Sequence, residues 1–211
     1  YGARETLMLV YYDEDYDLEL RQYYSVFEDT DAIAVSSAIE NRSAHDAVLR
    51  SFASCQLDTD GCGYTVFSYT GAWARERYPS VTQLSVGTFE QGTSRGSSSH
   101  AVNPFLMLRR PARMGGYLAF NLVYSGDHRE RVECTPMHTT RITVGMDDAF
   151  LEHPLPSGSV FHSPEAVMLF GEHRADISLQ MHRFVNGHIV PPCFLRERPV
   201  AVNLWEACGY R

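Results

Sequence analysis

Tyr117-Leu118-Ala119-Phe120-Asn121-Leu122-Val123-Tyr124 sets Leu118, Phe120, Leu122 and Tyr124 against Tyr117, Ala119, Asn121 and Val123 on alternate positions. A strand sends successive side chains to opposite faces. Here both faces are mostly apolar, so neither is built for water. That suits a strand inside a two-sheet stack better than an exposed edge.

Working outward, the same style continues in both directions. Residues 105–108 and 84–89 read as strands on the N-terminal side, and 141–144 and 166–170 on the C-terminal side. Nearer the start, 5–12 and 18–27 alternate, and Ile33, Val35 and Ile39 share a parity. Residues 48–57 form another candidate strand. Asp13-Glu14-Asp15, Asp29-Thr30-Asp31, Asn41-Arg42-Ser43 and Asp58-Thr59-Asp60-Gly61 supply turns between these runs. Repeated short strands with polar turns predict an all-β sandwich of two stacked, mainly antiparallel sheets. The 12 Tyr and 11 Phe residues favour strands too.

One segment changes period. Ile177, Met181, Phe184 and His188 fall at helical spacing, Gly187 lies near the end, and Pro191-Pro192 follows. The spacing predicts one helix over 174–186 that leads out of the sandwich. Residues 199–205 are apolar and strand-like again. The chain opens at Tyr1 without Met and stops at Arg211 soon after that run, so both edges read as cuts.

Composition bounds the partners. The chain has 211 residues, 44% of them apolar, and a formal charge of -8 from 18 basic and 26 acidic side chains. A nucleic-acid binder would carry a basic patch, which this balance argues against. No apolar run approaches the ~18 residues of a membrane helix. The five cysteines, Cys55, Cys62, Cys134, Cys193 and Cys208, are odd in number and irregularly spaced. They read as reduced thiols of a cytoplasmic protein rather than as a disulfide framework.

Two clusters could carry chemistry. In Gly71-Ala72-Trp73-Ala74-Arg75-Glu76-Arg77, small neighbours leave one face of the Trp73 indole uncovered. Sugar rings stack apolar C–H faces on such a surface, while Arg and Glu bind hydroxyls. By residue type alone, Trp73 reads as a core anchor beside a surface ion pair. The second cluster, residues 94–105, holds Arg95, Ser97, Ser98, Ser99, His100 and Asn103 in a loop before a strand. It has no nucleophile elbow, so its Ser and His do not read as a hydrolase triad. The histidines fall at no recurring ligand spacing, and no metal site is expected. Hydrolysis by paired carboxyls needs them to face each other across the bond. Asp58 with Asp60 and Asp147 with Asp148 read instead as divergent turn acids. A sugar-epimerising site would need a His and a carboxylate in one cleft, and His100, His128 and Glu133 are the loose candidates.

Taken in order, these stretches resemble glycoside hydrolase family 36, the bacterial and fungal α-galactosidases. The resemblance rests on the Trp73 block, the 94–105 block with Asn103-Pro104-Phe105, Tyr124-Ser125-Gly126, Ser163-Pro164-Glu165-Ala166 and Asn203-Leu204-Trp205-Glu206-Ala207. It implies a partial N-terminal β-supersandwich over 1–172, a linker helix and connection over 173–197, and the start of a (β/α)₈ barrel over 198–211. It further implies a retaining mechanism whose two catalytic Asp residues lie outside this stretch, with no metal or organic cofactor. Substrates would be α-galactosides of the raffinose and melibiose class, and the whole enzyme a homotetramer. Trp73 would contact substrate, reversing the core reading, with Arg75, Arg95, His100 and Asn103 as further candidates. An alternative is a stand-alone carbohydrate-binding or scaffold sandwich.

Overall fold

The computed structural model describes residues 2–98, 100–196 and 199–209. Among these, fifteen strands follow one another, beginning with β1 (Glu5–Asp13), β2 (Leu18–Val26), β3 (Ile33–Asn41), β4 (Ala47–Leu49) and β5 (Ala53–Asp60). Next come β6 (Thr65–Ala72), β7 (Arg75–Gln83), β8 (Gly87–Thr93), β9 (Val102–Arg109) and β10 (Tyr117–Val123). The set closes with β11 (His128–Cys134), β12 (Thr139–Met146), β13 (His153–Leu155), β14 (Val160–His162) and β15 (Glu165–Gly171). Helix α1 (Arg174–Phe184) runs into one wider π-type turn, Val185–Ile189. Two short helices follow, α2 (Pro192–Arg196) and α3 (Leu204–Cys208).

The strands make two stacked layers. The larger sheet has the order β1-β2-β3-β15-β10-β9-β6-β7, with β14 also paired to β3. The smaller sheet is β5-β12-β11-β8, and β13 pairs with β4 beside them. Every pairing is antiparallel. The all-β expectation therefore holds.

The β10 run explains the layering. Phe120 and Leu122 face inward with Leu106, Leu108 and Val66, and meet Val132, Ile142 and Val144 of the smaller sheet. Ala119 faces the other way, where it joins Met107, Val167, Leu169 and the α1 residues Ile177 and Phe184. So one apolar face is covered by a sheet and the other by a helix. The smaller sheet is apolar only inward. Outward it carries charge pairs such as Arg131–Glu90 at 2.8 Å and Arg141–Asp58 at 2.7 Å, as a half-solvated antiparallel sheet should.

Helix α1 is held at both ends. The Asp176 carboxylate accepts from the His173 backbone N–H at 2.8 Å, satisfying one exposed donor at the N-terminus. Phe184 packs edge-on against Phe27 with centroids 5.0 Å apart, and His188 bonds Asp29 at 2.8 Å. The helix does not stop at Gly187 as its spacing suggests. It widens at Val185 and ends only at Val190, which is extended before Pro191-Pro192.

Several boundaries differ from the sequence reading. Residues 48–57 split into β4 and β5, and the Asp58-Thr59-Asp60 run belongs to β5 rather than to a turn. Asp58 and Asp60 carry outward charge beside β12, where Arg141 compensates Asp58. Strands β6, β7, β11, β13 and β14 lie outside the predicted runs. The run 199–205, expected to be strand-like, pairs with no strand among the described residues. Asn203 instead caps α3 by accepting from the Trp205 N–H at 3.1 Å. Arg198, which precedes that run, lies outside the described residues, as do Ser99 and Tyr210.

The cysteine reading needs correction as well. Cys62 and Cys134 form a disulfide across 72 residues, with their Cα atoms 5.9 Å apart. Their spacing held no signal, because the contact arises where the Gly61-Cys62-Gly63 turn after β5 meets the end of β11. Cys55 remains a free, buried thiol, and burial pushes its pKa up to about 12, so it is inert at neutral pH. Cys193 and Cys208 are free and exposed.

Candidate functional site

Strands β6 and β7 form a hairpin whose two tip residues are Trp73 and Ala74, closed by the Ala72–Arg75 pair. The Trp73 side chain is 84% exposed, the opposite of a core anchor. Ala74 takes φ 60° and its N–H donates to the Glu76 carboxylate at 3.1 Å. Arg77 takes φ 57° inside a bulge of β7, where one extra residue kinks the strand. The tip is thus a shaped element, held by a local acceptor and by the kink behind it.

Gly71 fastens this hairpin to the second cluster. Its N–H donates to the Ala101 carbonyl at 3.0 Å. A Cβ there would lie 2.5 Å from the Arg75 carbonyl oxygen and 2.9 Å from that of His100. Only glycine permits three backbone segments to approach so closely. The 94–101 loop is tied down from its other side. Gly96 N–H donates to the Asp127 carboxylate at 2.8 Å, and Ser98 N–H to the Ser125 carbonyl at 2.8 Å. The Trp73, 94–105 and Tyr124-Ser125-Gly126 blocks, far apart in sequence, therefore meet at one end of the sandwich.

The candidate side chains divide between two small cavities at this end. Arg75 lines one of about 260 Å³ with Thr70, Gly71 and Tyr78. His100 and Asn103 line another of about 320 Å³ with Tyr69, Glu76 and Arg77. Arg95 is exposed and lines neither. Tyr69 and Tyr78 escaped the sequence reading because β6 and β7 did. The run Thr65-Val66-Phe67-Ser68-Tyr69-Thr70 between Gly63 and Gly71 was the signal that could have found them.

Behind Asn103 lies a buried polar cluster. His128 and Glu130 sit on the inner face of β11, fully buried, with Nδ1 and Oε1 2.8 Å apart. Gln91 donates to the other Glu130 oxygen at 3.1 Å and reaches across to the Asn103 and Phe105 carbonyls of β9 at 3.3 and 3.4 Å. It cross-links the two sheets directly under the site. His128 is therefore a structural group. Glu133 lies on the opposite face of β11 at its other end, and His100 is on an exposed loop. The three do not converge, so no sugar-epimerising pair is assembled.

The other acids give no hydrolytic pair either. Glu19 and Glu40 come close, but Arg21 and Arg42 each engage both. Asp58 lines a cavity of about 590 Å³ at the far end of the sandwich, where the Arg141 guanidinium holds its carboxyl below the usual range. Among the described residues no cluster of His, Cys, Asp or Glu could hold a metal ion.

Residues 2–156 match the glycosyl hydrolase family 36 N-terminal domain. The chain belongs to this family. The family 36 assignment agrees with its relatives. Alpha-galactosidase 1 of Pediococcus pentosaceus is 31% identical over 208 residues, covering 96% of this chain and 28% of its own length. The solved α-galactosidase of Lactobacillus brevis superposes with a TM-score of 0.91 at 34% identity, covering 97% of this chain and 28% of that one. Family 36 α-galactosidase AgaA of Geobacillus stearothermophilus gives 0.91 at 28% identity over 97% of this chain and 29% of its own, and a variant of it has been solved with raffinose. The chain thus spans under a third of the relatives it matches, in the part that family 36 describes as N-terminal.

Proposed function

We propose that this chain is the N-terminal sandwich of a retaining α-galactosidase, and that it presents Trp73 to an α-galactoside of the raffinose and melibiose class. The observation that carries this is Trp73 itself, 84% exposed at the tip of a hairpin that Gly71 and the 94–101 loop brace from behind. An exposed indole on a rigid support stacks on a sugar face at little ordering cost. The catalytic Asp pair belongs to another part of the protein in this reading. A hairpin tip reaches a ligand held by a second body, either a further domain of the same chain or another copy in a homotetramer. The domain limits 1–172, 173–197 and 198–211 remain part of the same proposal. The cytoplasmic placement rested on unpaired thiols, and the Cys62–Cys134 bond removes that ground.

The test is Trp73→Ala in the full-length protein. A lost stacking contact of roughly 1–1.5 kcal/mol lowers kcat/KM on raffinose about tenfold. Unchanged kinetics would sink the contact role. The 211-residue chain alone is expected to hydrolyse nothing, and turnover above background would overturn its accessory place.

A stand-alone carbohydrate-binding module is the second reading, favoured by Trp73 and Tyr78 standing 84% and 65% exposed on one hairpin. Calorimetry of the chain with raffinose separates the two. Micromolar affinity supports the module; weak or absent heat supports the accessory domain.

A further inference from the structure

A groove of about 570 Å³ runs along the outer face of the larger sheet, between β6, β7, β9, β10 and the end of α1. Its volume lies in the range of small-molecule sites. Phe105 and Met181 give it an apolar lining, and Phe105 is braced by Tyr69 at 5.9 Å between ring centroids. Above this lie three amides, Asn103, Asn121 and Asn186, with Arg77 and His182. No carboxylate lines the groove.

The hydrogen-bonding capacity of this wall is largely unspent. The side chains of Asn103, Asn186, Arg77 and His182 make no hydrogen bond to a described residue. Asn121 donates only to the neighbouring Leu122 carbonyl. A second observation falls at the same place. The wider turn Val185–Ile189 supplies Val185 and Asn186 to the wall, and such π-type turns recur at functional sites.

We infer that this groove is a binding site for a neutral saccharide, separate from the Trp73 tip. An amide offers both donors and an acceptor, which matches vicinal hydroxyls that each donate and accept. An aromatic and thioether lining matches the apolar face of a pyranose ring. Arg77 and His182 add donors, and the absence of carboxylates leaves nothing to attract a cation. The groove shares Tyr69, Arg77, Asn103 and Pro104 with the cavity of about 320 Å³ next to it. The two adjoin along these residues, and Glu76 lines only the smaller one.

The test is a nuclear magnetic resonance titration of the 15N-labelled chain with raffinose and stachyose up to about 50 mM, with inorganic phosphate as control. Saturable shifts of the Asn121 and Asn186 side-chain amides are expected, with a dissociation constant on the order of 1–10 mM. Asn186→Ala, at an exposed position, is expected to weaken binding at least about fivefold, while Phe150→Ala, 90% exposed and outside the groove lining, leaves it unchanged. Shifts confined to the Trp73 indole, no saturable shift, or tighter binding of phosphate than of either sugar would each overturn the assignment. Failure here leaves the kinetic test of Trp73 standing, because that test reads a different residue in the full-length protein.

Discussion

Gly71→Ala measures how tightly the hairpin is bound to the loop behind it. The added Cβ would sit 2.5 Å from the Arg75 carbonyl oxygen, 2.9 Å from the Glu76 Cα and 2.9 Å from the His100 carbonyl oxygen. Favourable contact between such atoms begins near ~3.5 Å, so each neighbour must yield about 0.5–1 Å. All three are backbone atoms, and they belong to two separate segments. No side-chain rotation relieves the contact. Overpacking of this kind costs ~1–3 kcal/mol, and stretching the Gly71–Ala101 hydrogen bond adds about 1. Replacing glycine also stiffens the unfolded chain, which returns about 0.4–1 kcal/mol. The net destabilisation is about 2 kcal/mol. In urea, at a slope of ~2 kcal/mol per molar, the midpoint falls by about 1 M. Gly2→Ala is the control, since its Cβ would meet only His188 Nδ1 at 3.9 Å. If Gly71→Ala unfolds within about 0.5 kcal/mol of the wild type, the close approach is wrong, and with it the braced hairpin.

Three further outcomes follow from the packing. Replacing both Cys62 and Cys134 with Ser opens a loop of 72 residues, and chain entropy puts the loss at about 4 kcal/mol under oxidising conditions. Equal stability of variant and wild type there would refute the bond. Glu130→Ala leaves His128 without its partner in the core and takes one of three acceptors from Gln91, and is expected to cost about 3–5 kcal/mol, whereas Glu130→Gln keeps a partner for both and costs less; equal losses would show that the cluster does not act through hydrogen bonding. Asp58→Asn removes the half-exposed pair with Arg141. The folded carboxyl lies below its unfolded value, so its contribution is present above about pH 4 and is lost as the pH falls through the depressed value. The difference from wild type is expected to stay below about 1 kcal/mol at neutral pH and to vanish on acidification; a difference that grows in acid contradicts this sign.

The legible part of the fold came from runs with a strong local pattern. The β10 run carried the two-layer argument, and the spacing of Ile177, Met181 and Phe184 carried the helix. Strands β7 and β11 stayed hidden for a physical reason. In β7 every residue but Thr82 is exposed, so no apolar face imposes a period. In β11 the inward positions begin with His128 and Glu130, whose burial depends on each other and on Gln91 rather than on hydrophobicity. The π-type turn at Val185 gave no sign either, since its spacing differs from that of α1 by one residue per turn.

By itself the sequence determined the all-β class, the helix after the sandwich and the set of blocks that mark family 36, because those rest on local periodicity and on contiguous residues. Only the tertiary structure decided that the blocks converge. Gly71, Ala101 and Ser98 meet through backbone hydrogen bonds, which any residue type can make and which leave no trace in composition. The same holds for Cys62 and Cys134, joined by strand register across 72 residues, and for the amide groove, assembled from four strands and a helix end. Trp73 shows the division most plainly. Its type argued for burial, and the turn that carries it put it in solvent.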